Sequence, residues 1–144
     1  MKITYYEPRE IELVIEDISL LTTAEAEELP EEIREYKGEW WWLKTAGGDT
    51  DCAVLVDYLG FIDHDGVSVF LDAYAVRPAV TIRNLESLNL KIGDPLMIQS
   101  EKYVYIGNSR VLYNDEFTYN KFDAVSNDYE KSDIKKIVDK WFEE

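Results

Sequence analysis

Three tryptophans stand side by side in the run Trp40-Trp41-Trp42-Leu43-Lys44-Thr45-Ala46-Gly47-Gly48, and no extended strand can turn all three the same way. Side chains alternate along a strand, so at least one indole must find cover on the second face or in a partner. A second constraint follows at Ala75-Val76-Arg77-Pro78-Ala79, where a permanent cation sits in an apolar run beside a rigid proline. A guanidinium enclosed in this way is paired, and we expect a carboxylate or backbone carbonyls to hold it. Trp41, Trp42, Arg77 and Pro78 are therefore read as structural residues.

A chain of 144 residues with 46% hydrophobic and 13% aromatic content has the material for one core, and we expect a single domain over residues 1–144. Cys52 is the one cysteine, so no intramolecular disulfide can form, and we expect it to act as a small apolar core group. No apolar run approaches the length of a signal segment or membrane span, which points to a cytoplasmic protein with no membrane partner.

Charge excludes more than composition does. The formal net charge is −15, from 30 acidic and 15 basic residues, which makes direct binding to nucleic acid or anionic lipid unfavourable and leaves basic proteins as partners. Residues 1–40 hold 12 acids and four bases, a net of −8, whereas residues 81–144 hold 12 acids and nine bases. Over half the excess therefore lies in the first forty residues, and the molecule is electrically polar.

The pattern of elements is mixed. Ile11, Leu13 and Ile15 alternate as in a strand with one wet face, and Ile18 to Leu21 forms a further apolar patch. Thr22 stands three residues before Glu25, the spacing of a capping box, so a helix starts there. Ala26, Leu29, Ile33 and Tyr36 recur at helical spacing, Pro30 leaves open one helix or two, and Gly38 supplies the stop. Short strands are expected at Trp41–Lys44, Cys52–Asp57, Val67–Tyr74, Ala79–Arg83, Leu96–Gln99, Tyr103–Ile106 and Arg110–Tyr113. Gly47-Gly48-Asp49 reads as a turn, and Asp65-Gly66 as the centre of a hairpin. Ile134, Ile137, Val138 and Trp141 form the apolar stripe of a C-terminal amphipathic helix capped by Ser132.

The runs Trp41 to Gly47 and Val76-Arg77-Pro78-Ala79 resemble a bacterial and phage domain of unknown function that carries "WWLRSPG" and "GVRPAL" signatures, over about half the chain. Leu20-Leu21-Thr22-Thr23-Ala24-Glu25-Ala26 resembles the helix that leads into its tryptophans. That family looks like a relative of the C-type-lectin-like fold of the formylglycine-generating enzyme. The resemblance implies an α+β fold, a single compact domain with a mostly antiparallel, short-stranded sheet, an acidic helix in the N-terminal half and a C-terminal amphipathic helix. Lys44 stands where the family has arginine, Ala75 where it has glycine, and Tyr129 to Ile134 resembles a motif that such domains place before the tryptophans rather than after. The oxidase relative works through paired cysteines, so with Cys52 alone that activity does not carry over.

Catalytic and metal chemistry find little support in the residue pattern. His64 is the one histidine and stands in an expected turn, which disfavours a nucleophile–histidine arrangement. Asp63-His64-Asp65 offers donors, but adjacent strand residues diverge, and no metal or cofactor is assigned. Gly47-Gly48 lacks the lysine and following helix of a phosphate loop. Acid pairs such as Asp49/Asp51 are expected by chance at this acid content, so we expect no enzyme.

The strongest candidate is the acidic segment, with Glu25, Glu28, Glu32 and Glu35 on one flank of the apolar stripe and Glu27 and Glu31 on the other. On one continuous helix these carboxylates occupy about 15 Å of axis, or one charge per roughly 2.5 Å. Duplex DNA carries one per about 1.7 Å. The expectation is a non-catalytic inhibitor, of phage or mobile-element type, that mimics nucleic acid and occupies the basic channel of a host defence nuclease, as an anti-CRISPR protein does. The alternative is a lectin-like module that binds a ligand or protein through loops near the tryptophans.

Overall fold

The computed structural model describes residues 2–7, 11–98, 101–115 and 118–143. In chain order the elements are β1 (Lys2–Glu7), β2 (Ile11–Ser19), α1 (Thr23–Glu27), α2 (Glu31–Arg34), β3 (Trp41–Ala46), β4 (Cys52–Val56), β5 (Ile62–Ser68), β6 (Tyr74–Val76), β7 (Ala79–Ile82), β8 (Pro95–Ile98), β9 (Glu101–Gly107), β10 (Arg110–Tyr113), β11 (Thr118–Asn120) and α3 (Asp133–Glu143). Single 3-10 turns lie at Leu85–Leu88 and Tyr129–Lys131.

The α+β class and the short, mostly antiparallel strands agree with the sequence pattern, but the strands divide between two sheets. Six close a barrel in the order β1-β2-β7-β10-β9-β8, and five form an open sheet in the order β11-β6-β3-β4-β5. Within the open sheet β3 and β6 run parallel, and the other described pairs are antiparallel. Barrel closure depends on β1, where Tyr6 pairs with Ile11 on one side and with Ile98 on the other.

The tryptophans explain why the open sheet is covered on both faces. Trp41 and Leu43 point into one apolar cluster with Val54 and Val56, while Trp42 points into another with Ala53 and Leu55. Ala26, Leu29 and Tyr36 close the first face, and Phe122, Tyr129, Ile134 and Val138 close the second. Both indoles are fully buried, and each Nε1 donates to a carbonyl, that of Arg34 at 2.8 Å for Trp41 and that of Asn120 at 2.8 Å for Trp42. Trp40 stays half-buried and stacks on Tyr74 at 5.9 Å.

Arg77 and Pro78 form the two-residue step by which the chain leaves β6 in the open sheet and enters β7 in the barrel. The Arg77 side chain is completely buried there. Its Nε donates to the Tyr113 carbonyl at 3.0 Å, one terminal nitrogen to the Ile33 carbonyl at 3.2 Å, and the other to Asn114 Oδ1 at 3.1 Å. The Tyr36 and Trp41 rings lie 4.3 and 4.5 Å from the guanidinium carbon. One side chain thus ties barrel, open sheet and α2 together, through carbonyls and aromatic faces rather than a carboxylate. The Pro78 carbonyl accepts from the Tyr113 amide at 2.9 Å, adding a backbone tie at the same corner.

Several expectations require correction. Asp65-Gly66 is not a hairpin turn but lies inside β5, where Gly66 has φ +79° and a Cβ on it would stand 2.4 Å from the Ala53 carbonyl oxygen. Close approach of a neighbouring strand, not a reversal, therefore demands this glycine. The reversal between β4 and β5 falls at residues 57–61 instead. The strand expected over Val67–Tyr74 is broken, since β5 ends at Ser68 and β6 begins at Tyr74. Gln99, the expected end of the Leu96 strand, and the Trp141 side chain lie outside the described residues.

Candidate functional site

The acidic segment begins as its capping box predicts. The Glu25 amide donates to Thr22 Oγ1 at 3.1 Å, and Glu25 Oε1 accepts the Thr22 amide at 3.1 Å. The helix does not continue. Pro30 lacks an amide hydrogen and disfavours helical backbone before it, so α1 and α2 are separate single turns rather than one rod. The even spacing of carboxylates along a common axis is replaced by two short groups.

The six glutamates differ in how far the fold has already engaged them. Glu25 is half-buried, and besides its capping role it pairs through Oε2 with Arg110 at 3.0 Å. Arg110 has two further nitrogens, Nε and one terminal nitrogen, buried without a hydrogen-bond partner, which makes Glu25 its main anchor. Glu27 lies 3.4 Å from His64 Nε2, and Glu35 Oε1 accepts the Gly38 amide at 3.0 Å. Glu28, Glu31 and Glu32 are exposed and have no side-chain partner among the described residues. These three carry the available charge.

The other sites weighed from sequence resolve differently. His64 is exposed on β5 and not in a turn. Asp63 Oδ1 accepts the Gly66 amide at 3.2 Å, so its carboxylate supports the irregular strand. One group of three donors that can hold a metal converges among the described residues, Asp49, Asp51 and Cys52, with ligand atoms within 4.8 Å of one another. Cys52 is half-buried rather than a closed core group, and its Sγ lies 3.7 Å from Asp51 Oδ1. Burial, followed by the neighbouring carboxylates of Asp51 and Asp49, pushes the thiol pKa up, so it is mostly protonated and a poor ligand near neutral pH.

Two shallow grooves adjoin the acidic segment. One, of about 240 Å³, lies between α1 and the β9–β10 turn and includes Glu25, Glu28 and Arg110. The other, of about 320 Å³, lies between α2 and the barrel and includes Glu32, Ile33, Ile92 and Val104. Both are acid-rimmed grooves without a nucleophile–base pair.

Sequence reading passed over the turn at residues 57–61, where Tyr58, Leu59 and Phe61 are about half exposed. Asp57 followed three residues later by Gly60 is the composition of a type I turn and was the signal available. The Asp65-Gly66 pair is the stronger hairpin signal, and it drew the expected reversal downstream.

No helix among the described residues is long and apolar enough to cross a membrane. Comparison with protein-family models, curated proteins and solved structures gives no match.

Proposed function

We propose that this is a non-catalytic acidic interaction protein, and that residues 22–35 engage the basic, nucleic-acid-binding surface of another protein. The observation that carries the reading is the set Glu28, Glu31 and Glu32, exposed and without a cationic partner among the described residues, within a forty-residue stretch of net charge −8. Exposed like charges at this density repel one another, and a basic partner relieves that repulsion. Mimicry of a phosphate backbone, as an inhibitor of a defence nuclease practises it, is the most specific form of the proposal. Two separate acidic turns suit an irregular basic channel as well as a straight one.

Capture from a lysate of the natural host at about 0.1 M and about 1 M salt tests this, because the screening length falls from about 10 Å to about 3 Å. The expected catch is a basic, nucleic-acid-binding protein, retained at low salt, released at high salt and displaced by added duplex DNA. Capture indifferent to both salt and DNA contradicts the proposal and favours a lectin-like module.

A further inference from the structure

The β4–β5 turn is ordered by hydrogen bonds of its own. The Asp57 amide donates to the Phe61 carbonyl at 2.8 Å, and the Gly60 amide to the Asp57 carbonyl at 3.0 Å. Asp57 Oδ1 accepts the amides of Leu59 and Phe61 at 2.9 and 3.0 Å. Gly60 has φ +90°, and a Cβ on it would stand 3.0 Å from the Glu35 amide nitrogen, so the turn is seated against the end of α2. Four hydrogen bonds within five residues order this backbone without using its apolar side chains.

Those side chains face solvent. Tyr58 and Leu59 are each 49% exposed and Phe61 is 54% exposed. The half-buried Trp40 ring lies 6.0 Å from Tyr58 and extends the patch inward. Single exposed apolar residues need no explanation, but three on one ordered turn mark a contact surface. Glu35, exposed, borders it directly.

We propose that this turn is the apolar anchor of the interface whose charged part is the acidic segment, an inference that rests on the acidic-surface reading. Its occupant is a basic amphipathic segment of a partner protein, with lysine or arginine interleaved with large apolar side chains. Charge complementarity selects that partner, since Glu35, at the C-terminal end of α2, stands directly against the turn. The acids speed encounter, and dewetting of Tyr58, Leu59 and Phe61 slows release. Because the turn is ordered beforehand, little conformational entropy is lost on binding.

Two synthetic peptides of equal length and charge test the anchor, one alternating lysine with leucine and the other lysine with serine, each titrated at low salt with amide shifts recorded. The lysine–leucine peptide is expected to bind about tenfold more tightly, a gain typical of one well-buried contact residue, and to shift the amides of Tyr58 to Phe61. Leu59→Ser with Phe61→Ser, both at exposed sites, should bring its affinity down to that of the lysine–serine peptide and leave the latter unchanged. Equal affinity of the two peptides for the parent protein, or shifts that miss residues 58–61, overturns the anchor while leaving the acidic reading in place. A lysine–serine peptide that leaves Glu28, Glu31 and Glu32 unshifted overturns the acidic reading and the basic occupant with it.

Discussion

Arg77 shows how much a single residue type can reveal. Its burial was legible because a permanent charge in an apolar run beside proline has few other places to go. Its acceptors were not, since Ile33 and Asn114 are distant in sequence and nothing local distinguishes a carbonyl from a carboxylate partner. Burial lowers the guanidinium pKa to about 9, which still leaves it charged at neutral pH. Arg77→Ala strands three neutral acceptors and opens a void beside two rings, so a loss of about 2–5 kcal/mol is expected from the cavity and the unsatisfied acceptors. At this chain length that lowers the melting temperature by about 10 °C, and an unchanged melt contradicts the role. For Cys52 the raised pKa predicts thiol labelling slower than that of a free peptide thiol near pH 8. Asp51→Asn removes a nearby negative charge and should speed it, whereas an equal rate in both proteins shows that the carboxylate does not restrain the thiol.

At the scale of elements, Asp123 joins the loop before α3 to the start of that helix. Its carboxylate accepts the amides of Val125 and Ser126 through Oδ2 and that of Asp133 through Oδ1, while Ser132 Oγ caps the Lys135 amide. These backbone donors, that of Ser126 foremost, hold the Asp123 pKa below the ordinary aspartate value despite opposing desolvation. A depressed folded-state pKa contributes stability above the unfolded value of about 3.9 and loses it as pH falls through the folded one. Asp123→Asn should therefore cost about 1 kcal/mol at neutral pH, and the gap between the two proteins should close below about pH 4. A gap that is constant with pH in thermal melts contradicts this. Elements with local signals were readable: the Thr22–Glu25 box, the Gly47-Gly48 turn and the Ser132 cap all stand where their chemistry places them. Gly66 misled because a glycine required by a neighbouring strand looks the same in sequence as one required by a turn.

The whole molecule was the least legible. Barrel closure joins β1 to β8 across some ninety residues, and β11 reaches β6 from a similarly uninformative stretch; period-two patterning carries no record of which strands meet. Charge, by contrast, needs no topology, and its concentration in the first forty residues was plain from the sequence. What the fold adds is a distinction among the acids. Glu25 belongs to the cap and to Arg110, while Glu28, Glu31 and Glu32 are exposed and have no side-chain partner among the described residues. The most direct test is the association rate with the captured basic partner as a function of salt, for the parent and for Glu28→Lys/Glu31→Lys/Glu32→Lys. The account predicts association at least about tenfold slower for the variant near 0.1 M salt, with the two rates converging near 1 M and the melting temperature little changed. Equal rates at low salt contradict it.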